Sequence, residues 1–185
     1  MDPRQYSVDE PLLDGRRVHL RAIRPDDKQS LREGFHRLSG RSVYFRFFRP
    51  KRELSEEELK YFTEIDFVRH VALLAVLRQD GGEQPIGVGR YIEINDARPI
   101  RSAEVAFAVD EAHRGLGVAT LLLRHLVVIA QAYGITTFEA DVLADNEKML
   151  EVFAHSGLPL HSTHEAGVIH VSLSLRGKGS SQPAP

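Results

Sequence analysis

The stretch VDEAHRGLGVATLLLRHL, residues 109–126, joins a strand-like run to a strongly apolar helix-like run. Gly115, Gly117 and Ala119 remove side chains at the junction. A helix start leaves about four backbone N–H groups unpaired and pointing outward. With the helix dipole they form an anion site. Cβ atoms would keep a phosphate away from those amides, and Arg114 adds a fixed charge within reach of a phosphate oxygen. The junction reads as a place of close approach for a phosphorylated ligand. A plain turn is the simplest rival. A dinucleotide fold, with Asp141 closing the next strand, needs its glycines directly after the strand, but Asp110–Arg114 intervene and Thr120 holds the third glycine position. The lysine-bearing phosphate loop GxxxxGK[ST] is absent.

The rest of the chain bounds the answer. Its 185 residues, 42% hydrophobic, suit one domain with one core. A net charge of −2 offers no global field for nucleic acid or an anionic membrane. There is no cysteine, which excludes disulfides, cysteine-bound zinc and a cysteine nucleophile. The amino terminus is too charged for a signal peptide. The longest apolar run, Val71–Leu77, is far short of the ~20 residues of a membrane helix. The expectation is a cytoplasmic protein that binds neither nucleic acid nor membrane.

Residues 1–15, with Pro3, Pro11 and Gly15, read as a loosely ordered leader. Strands are expected at 16–23, 70–78, 84–94, 102–109, 136–143, 158–164 and 168–175, by alternation or continuous apolar runs. Gly81-Gly82 reads as a turn, and Arg98-Pro99 as a break after the third strand. Helices are expected after Pro25, in RSVYFRFF, from the Ser55/Glu58 capping box, over 114–133 up to Gly134, and over 146–155. Residues 176–185 read as a mobile tail or linker. The order implies a mixed α/β sheet in a single domain.

The spacing Arg114, Gly117, Ala119 after four strands, at the head of the long central helix, resembles the pyrophosphate motif of the GNAT superfamily of acetyl-CoA-dependent N-acetyltransferases. Order of elements from about residue 16 to 175 fits that fold, a mixed central sheet of six to seven strands with about four helices. GRRVHLRAIRPDD, RSVYFRFF, YFTEIDFVRHVALLAV and SAEVAFAVDEAHRGLG are most similar to bacterial Pat-type protein lysine acetyltransferases. The resemblance implies acetyl-CoA as co-substrate, no metal, and a protein substrate such as an acyl-CoA synthetase. It implies that Arg114, Gly115, Leu116, Gly117, Val118, Ala119 and Thr120 hold the pyrophosphate. It also implies that the backbone of Phe107, Ala108 and Val109 pairs with the pantetheine arm.

Transfer to an amine needs a neutral nitrogen, and only about one lysine in 2,500 is neutral at pH 7, a deficit of about 4–5 kcal/mol. A positioned base is the usual remedy. In SAEVAFAVD, Glu104 shares a face with Ala106 and Ala108, small residues that leave room for a ligand. A partly desolvated carboxylate there suits a base; a solvated or ion-paired glutamate is the alternative. The resemblance assigns its catalytic glutamate to Glu104. Asn146 matches the family's pantetheine-contacting asparagine, or is an ordinary helix cap. Many relatives carry a tyrosine general acid where this chain has Phe153, so no general acid is named.

Three features stay outside that reading. RSVYFRFFRPKR interleaves cations and aromatics, a composition seen in RNA binders, and reads better as an amphipathic helix. His161 and His164 would point to opposite faces of a strand, which disfavours a shared metal. The acidic stretch from Glu53 to Asp66 reads as a solvated face or as a lure for a basic protein surface. A GNAT enzyme acting on a small amine, and a non-catalytic acyl-CoA-sensing module, are the functional alternatives.

Overall fold

The apolar run in the middle of the chain becomes the centre of the sheet. In the computed structural model, which describes residues 1–79, 82–94 and 100–176, β3 (His70–Gln79) is buried from His70 to Leu77. The other strands are β1 (Ser7–Pro11), β2 (Arg17–Ala22), β4 (Gly82–Ile94), β5 (Ser102–Val109), β6 (Thr137–Leu143), β7 (Leu160–Glu165) and β8 (Val168–Ser174). They form an eight-stranded sheet in the order β1-β2-β3-β4-β5-β6-β8-β7. Only β5 and β6 run parallel; the other neighbours are antiparallel. The helices are α1 (Lys28–His36), α2 (Gly40–Phe47), α3 (Glu56–Thr63), α4 (Val118–Ala132) and α5 (Glu147–Ala154). This is a single mixed α/β fold in the order that the resemblance implies, with eight strands rather than six to seven and five α-helices rather than about four among the described residues.

The added strand is β1, inside the expected loose leader, so that expectation is corrected for residues 7–11. It pairs antiparallel with β2. Its signal is faint because Asp9 and Glu10 carry charge. Both find partners only in the fold: Asp9 Oδ1 meets His19 Nδ1 at 2.6 Å, and Glu10 Oε1 meets Arg124 at 2.6 Å. Tyr6 and Val8 pack on the core. The turn at Gly81-Gly82 falls partly, and the break at Arg98-Pro99 and the tail from 177 wholly, outside the described residues.

One face of the sheet carries α4. Leu122, Leu126 and Ile129 are fully buried beneath it, each stabilising the fold by about 2 kcal/mol. The helix lies so close to β4 that glycine is required there. A Cβ on Gly87 would stand 2.8 Å from Val118 Cγ1, and one on Gly89 3.0 Å from the Phe107 ring. On the opposite face α1 packs on β4 and α2 on β5. The three short helices share a small core of Phe35, Val43, Leu54 and Leu59. Ser55 and Glu58 form the expected capping box of α3. Among the described residues no helix is long and apolar enough to cross a membrane.

Candidate active site

The sheet parts beside Glu104. The β5–β6 ladder consists of Ser102↔Thr137, Ala103↔Phe138 and Glu104↔Glu139, and then ends. β5 stays paired with β4 to Val109. From Val105 to Val109 its other edge therefore has no strand partner among the described residues. That edge, with the loop before α4 and the start of α5, lines a cleft of about 990 Å³, ample for a large ligand.

The loop at one end of the cleft differs from expectation in one respect. The helix begins at Val118, not Arg114. Gly115 and Gly117 have φ of 74° and 86°, the left-handed region that glycine enters without strain. Glu111–His113 form a 3-10 turn before them. The first intrahelical bond runs from Leu121 N–H to Gly117 O, so the amides of Val118, Ala119 and Thr120 are the unpaired donors of the first turn. A Cβ on Gly115 would meet nothing within 4 Å, so φ and open access, not packing, explain that glycine. Free amides, two glycines without Cβ and the neighbouring Arg114 fit a pyrophosphate group.

Glu104 faces the side opposite α4 with Ala106 and Ala108, as the alternation predicts. It is exposed, so the expected partial desolvation is not seen. Phe107 points to the α4 side, its ring centroid 6.1 Å from that of Phe153 on α5. Phe153 is buried and apolar, and brings no proton to the cleft. Asn146 precedes α5 and lines the cleft, but its side chain makes no capping hydrogen bond. Tyr91, with burial raising its pKa, lies under Phe138.

Ser42 and Glu111 escaped the sequence reading. Arg114 Nη2 donates to Ser42 Oγ at 2.6 Å, and Ser42 Oγ donates to Glu111 Oε1 at 2.6 Å. Ser39 N–H donates to the same carboxylate oxygen at 2.7 Å. Hydrogen bonds from Ser39 and Ser42 hold the Glu111 carboxyl down to about 2. These hydrogen bonds couple the start of α2 to the loop before α4, so α2 positions Arg114. Their local trace was Ser39, the cap of α2. Arg41, on the same helix, reaches Asp145 across the cleft mouth at 3.4 Å.

The other features have structural places. α2 packs Phe47 against Phe35 and Phe62 and turns Phe45, Arg46 and Phe48 to the cleft. The acidic stretch is largely tied down within the chain: Glu56 to Arg32, Glu58 to Lys51, Glu64 to Lys28. His161 and His164 fall on opposite faces of β7, opposite Ser172 and Ile169 of β8. His170 is held by Asp141 at 2.7 Å, whose hydrogen bond raises its pKa.

A model of the Acetyltransferase (GNAT) family matches residues 40–158. An acetyltransferase of Pseudomonas aeruginosa is 29% identical over 143 residues, 77% of this chain and 75% of that one. The acetyltransferase Pat of Mycolicibacterium smegmatis is 30% identical over 149 residues, 77% of this chain but 41% of that longer protein. The crystal structure of the GNAT domain of S. lividans PAT superposes with a TM-score of 0.82 at 37% identity, covering 91% of this chain and 96% of that one. A putative acetyltransferase of Salmonella typhimurium, solved with acetyl-CoA, shares the fold at 15% identity and a TM-score of 0.65, covering 90% of this chain and 99% of that one.

Proposed function

Because the chain belongs to the GNAT acetyltransferase family, we propose that it transfers the acetyl group of acetyl-CoA to a lysine side chain of a protein, of the acyl-CoA synthetase class. The observation that carries the reading is the place of Glu104. It is the last residue of β5 paired with β6, where the cleft opens, with Glu139 opposite it on β6. The likeness to the GNAT domain of S. lividans PAT over nearly the whole chain supports a protein acceptor.

The first-turn amides of α4, Gly115, Gly117 and Arg114 bind the pyrophosphate. The free edge of Phe107–Val109 hydrogen-bonds the pantetheine arm as an added strand would, and Asn146 contacts it from the far wall. Bound acetyl-CoA supplies an activated acyl group: the amine nitrogen bonds to the thioester carbon, the C–S bond breaks, and the sulfur leaves as thiolate. That leaving group, with a pKa near a cysteine's value of about 8.5, needs little acid help. Glu104 accepts the proton that the ammonium loses before attack, and the second nitrogen proton passes to the departing thiolate. Glu139 and Asp141, on the same face as Glu104, add negative charge that draws a cationic side chain inward. No cysteine is available to carry the acetyl group, so transfer is direct.

Incubation with acetyl-CoA and an AMP-forming acetyl-CoA synthetase, read by mass spectrometry of lysine acetylation, tests this. Acetylation confined to one lysine is expected, falling by about 10²–10³ in kcat/KM in Glu104→Gln. Glu104 is exposed, so the melting temperature should not move. Acetyl-CoA binding without acetylation of the synthetase sinks the substrate class. Full activity in Glu104→Gln sinks the base.

A further inference from the structure

Arg90 on β4 is buried, 4% exposed, yet no carboxylate lies within ion-pair reach among the described residues. Its Nη1 donates to His70 Nε2 at 3.0 Å and, at 3.4 Å, to the Phe62 carbonyl oxygen. The guanidinium stacks on the Phe62 ring at 4.3 Å. Burial, then the charge of Arg46, push its pKa down to about 9, which leaves it charged at neutral pH. Arg46, half-buried and stacked on the Phe47 ring at 5.2 Å, forms no ion pair among the described residues either; burial lowers its pKa, with the Glu104 charge opposing. A buried guanidinium without an anion is costly, and an aromatic stack offsets only part of the cost. Arginine does not escape by losing its proton.

Arg46 and Arg90 both line one cavity of about 80 Å³, which shares Arg46, Phe47 and Ala108 with the large cleft. Its walls are otherwise mainly apolar, with Leu31, Phe35, Phe47 and Leu74. Arg37 and Asp110 also line it, but pair with each other at 2.8 Å. The space takes several water-sized groups. We propose that this cavity binds a small monovalent anion of the carboxylate or halide class, held between Arg46 and Arg90. Arg90 is the strand partner of Ala106, two pairs along from Glu104 and on the same face. The anion neutralises two like charges there and leaves Glu104 free of a guanidinium partner. The site stands whether or not Glu104 is the base.

Thermal unfolding of the full chain tests it, in acetate, chloride or bromide against equal ionic strength of a bulky sulfonate. The small anions should raise the melting temperature saturably, by about 4 °C at tenfold the apparent Kd. Arg90→Met should abolish the dependence, and Arg90→Lys keep part of it. Bromide soaked into crystals should give an anomalous peak between Arg46 and Arg90. Equal melting in all salts with no bromide peak there overturns the assignment. So does a saturable dependence that survives in Arg90→Met. The wild type carries both readouts, so a variant that fails to fold leaves the test intact.

Discussion

Arg21 and Arg90 stand on the same face of the sheet, and each is 4% exposed. Arg21 donates to both oxygens of Asp27, at 2.7 and 2.9 Å, and to Glu83 at 2.8 Å. Burial works against its charge, but Asp27 and Glu83 outweigh burial and hold its pKa above the ordinary value. Arg90 has a ring, a carbonyl and a neutral imidazole instead. Equal burial with opposite provision separates two uses of one residue type. Arg21 ties β2 to the turn at Pro25–Asp27 and to β4. Arg90 lies beside Ala106 with no carboxylate partner among the described residues. Partners, not depth, distinguish a structural charge from a ligand-binding one.

The comparison is most exposed at Asp27. Asp27→Ala leaves Arg21 with the partly exposed Glu83 alone and also removes the 2.6 Å bond to the Arg24 amide. It should cost about 4 kcal/mol in urea unfolding; a cost near zero would mean that Arg21 needs its partners no more than Arg90 does. Next comes pH. Burial, then the Arg90 charge, push the His70 pKa from 6.5 down to about 4. The unfolded chain takes up that proton first as pH falls. Stability from His70 is therefore full above about pH 6.5 and declines towards pH 4, by about 3 kcal/mol in all. His70→Gln should flatten that part of the pH–stability curve. The smallest expected effect is at Glu83, a third exposed: Glu83→Gln should cost about 1 kcal/mol, because Asp27 still holds Arg21.

The sequence carried the α4 end of the cleft better than the end where β5 and β6 part. Residues 114–120 announce themselves because glycine at a helix start is a local event with a local cause. The same glycine misled about where the helix begins: Gly117 continues the apolar pattern while its positive φ keeps it out of the helix. Glu104 was visible as a charge among small residues. That β5 and β6 part beside it depends on pairing between distant segments, which no window of sequence contains. Arg90 in GVGRYIEI reads as an ordinary polar position on a strand. Only the β3–β4–β5 register puts it beside Ala72 and Ala106, near α3. Ser42 and Glu111 are bonded across nearly seventy positions. The strand at 7–11 was missed because its acids are balanced by His19, Arg124 and His125, which only tertiary structure brings near.

The amino-terminal arm also touches the glycine loop before α4. Leu13 N–H donates to the Leu116 carbonyl at 3.2 Å, and a Cβ on Gly117 would lie 3.6 Å from Leu13 Cγ. The arm is thus a latch on the loop. Peeling β1 from β2 slackens the loop, and a ligand gripping the loop seats the arm more firmly. Protease sensitivity of the first dozen residues becomes a gauge of occupancy at a site formed a hundred residues later in the chain.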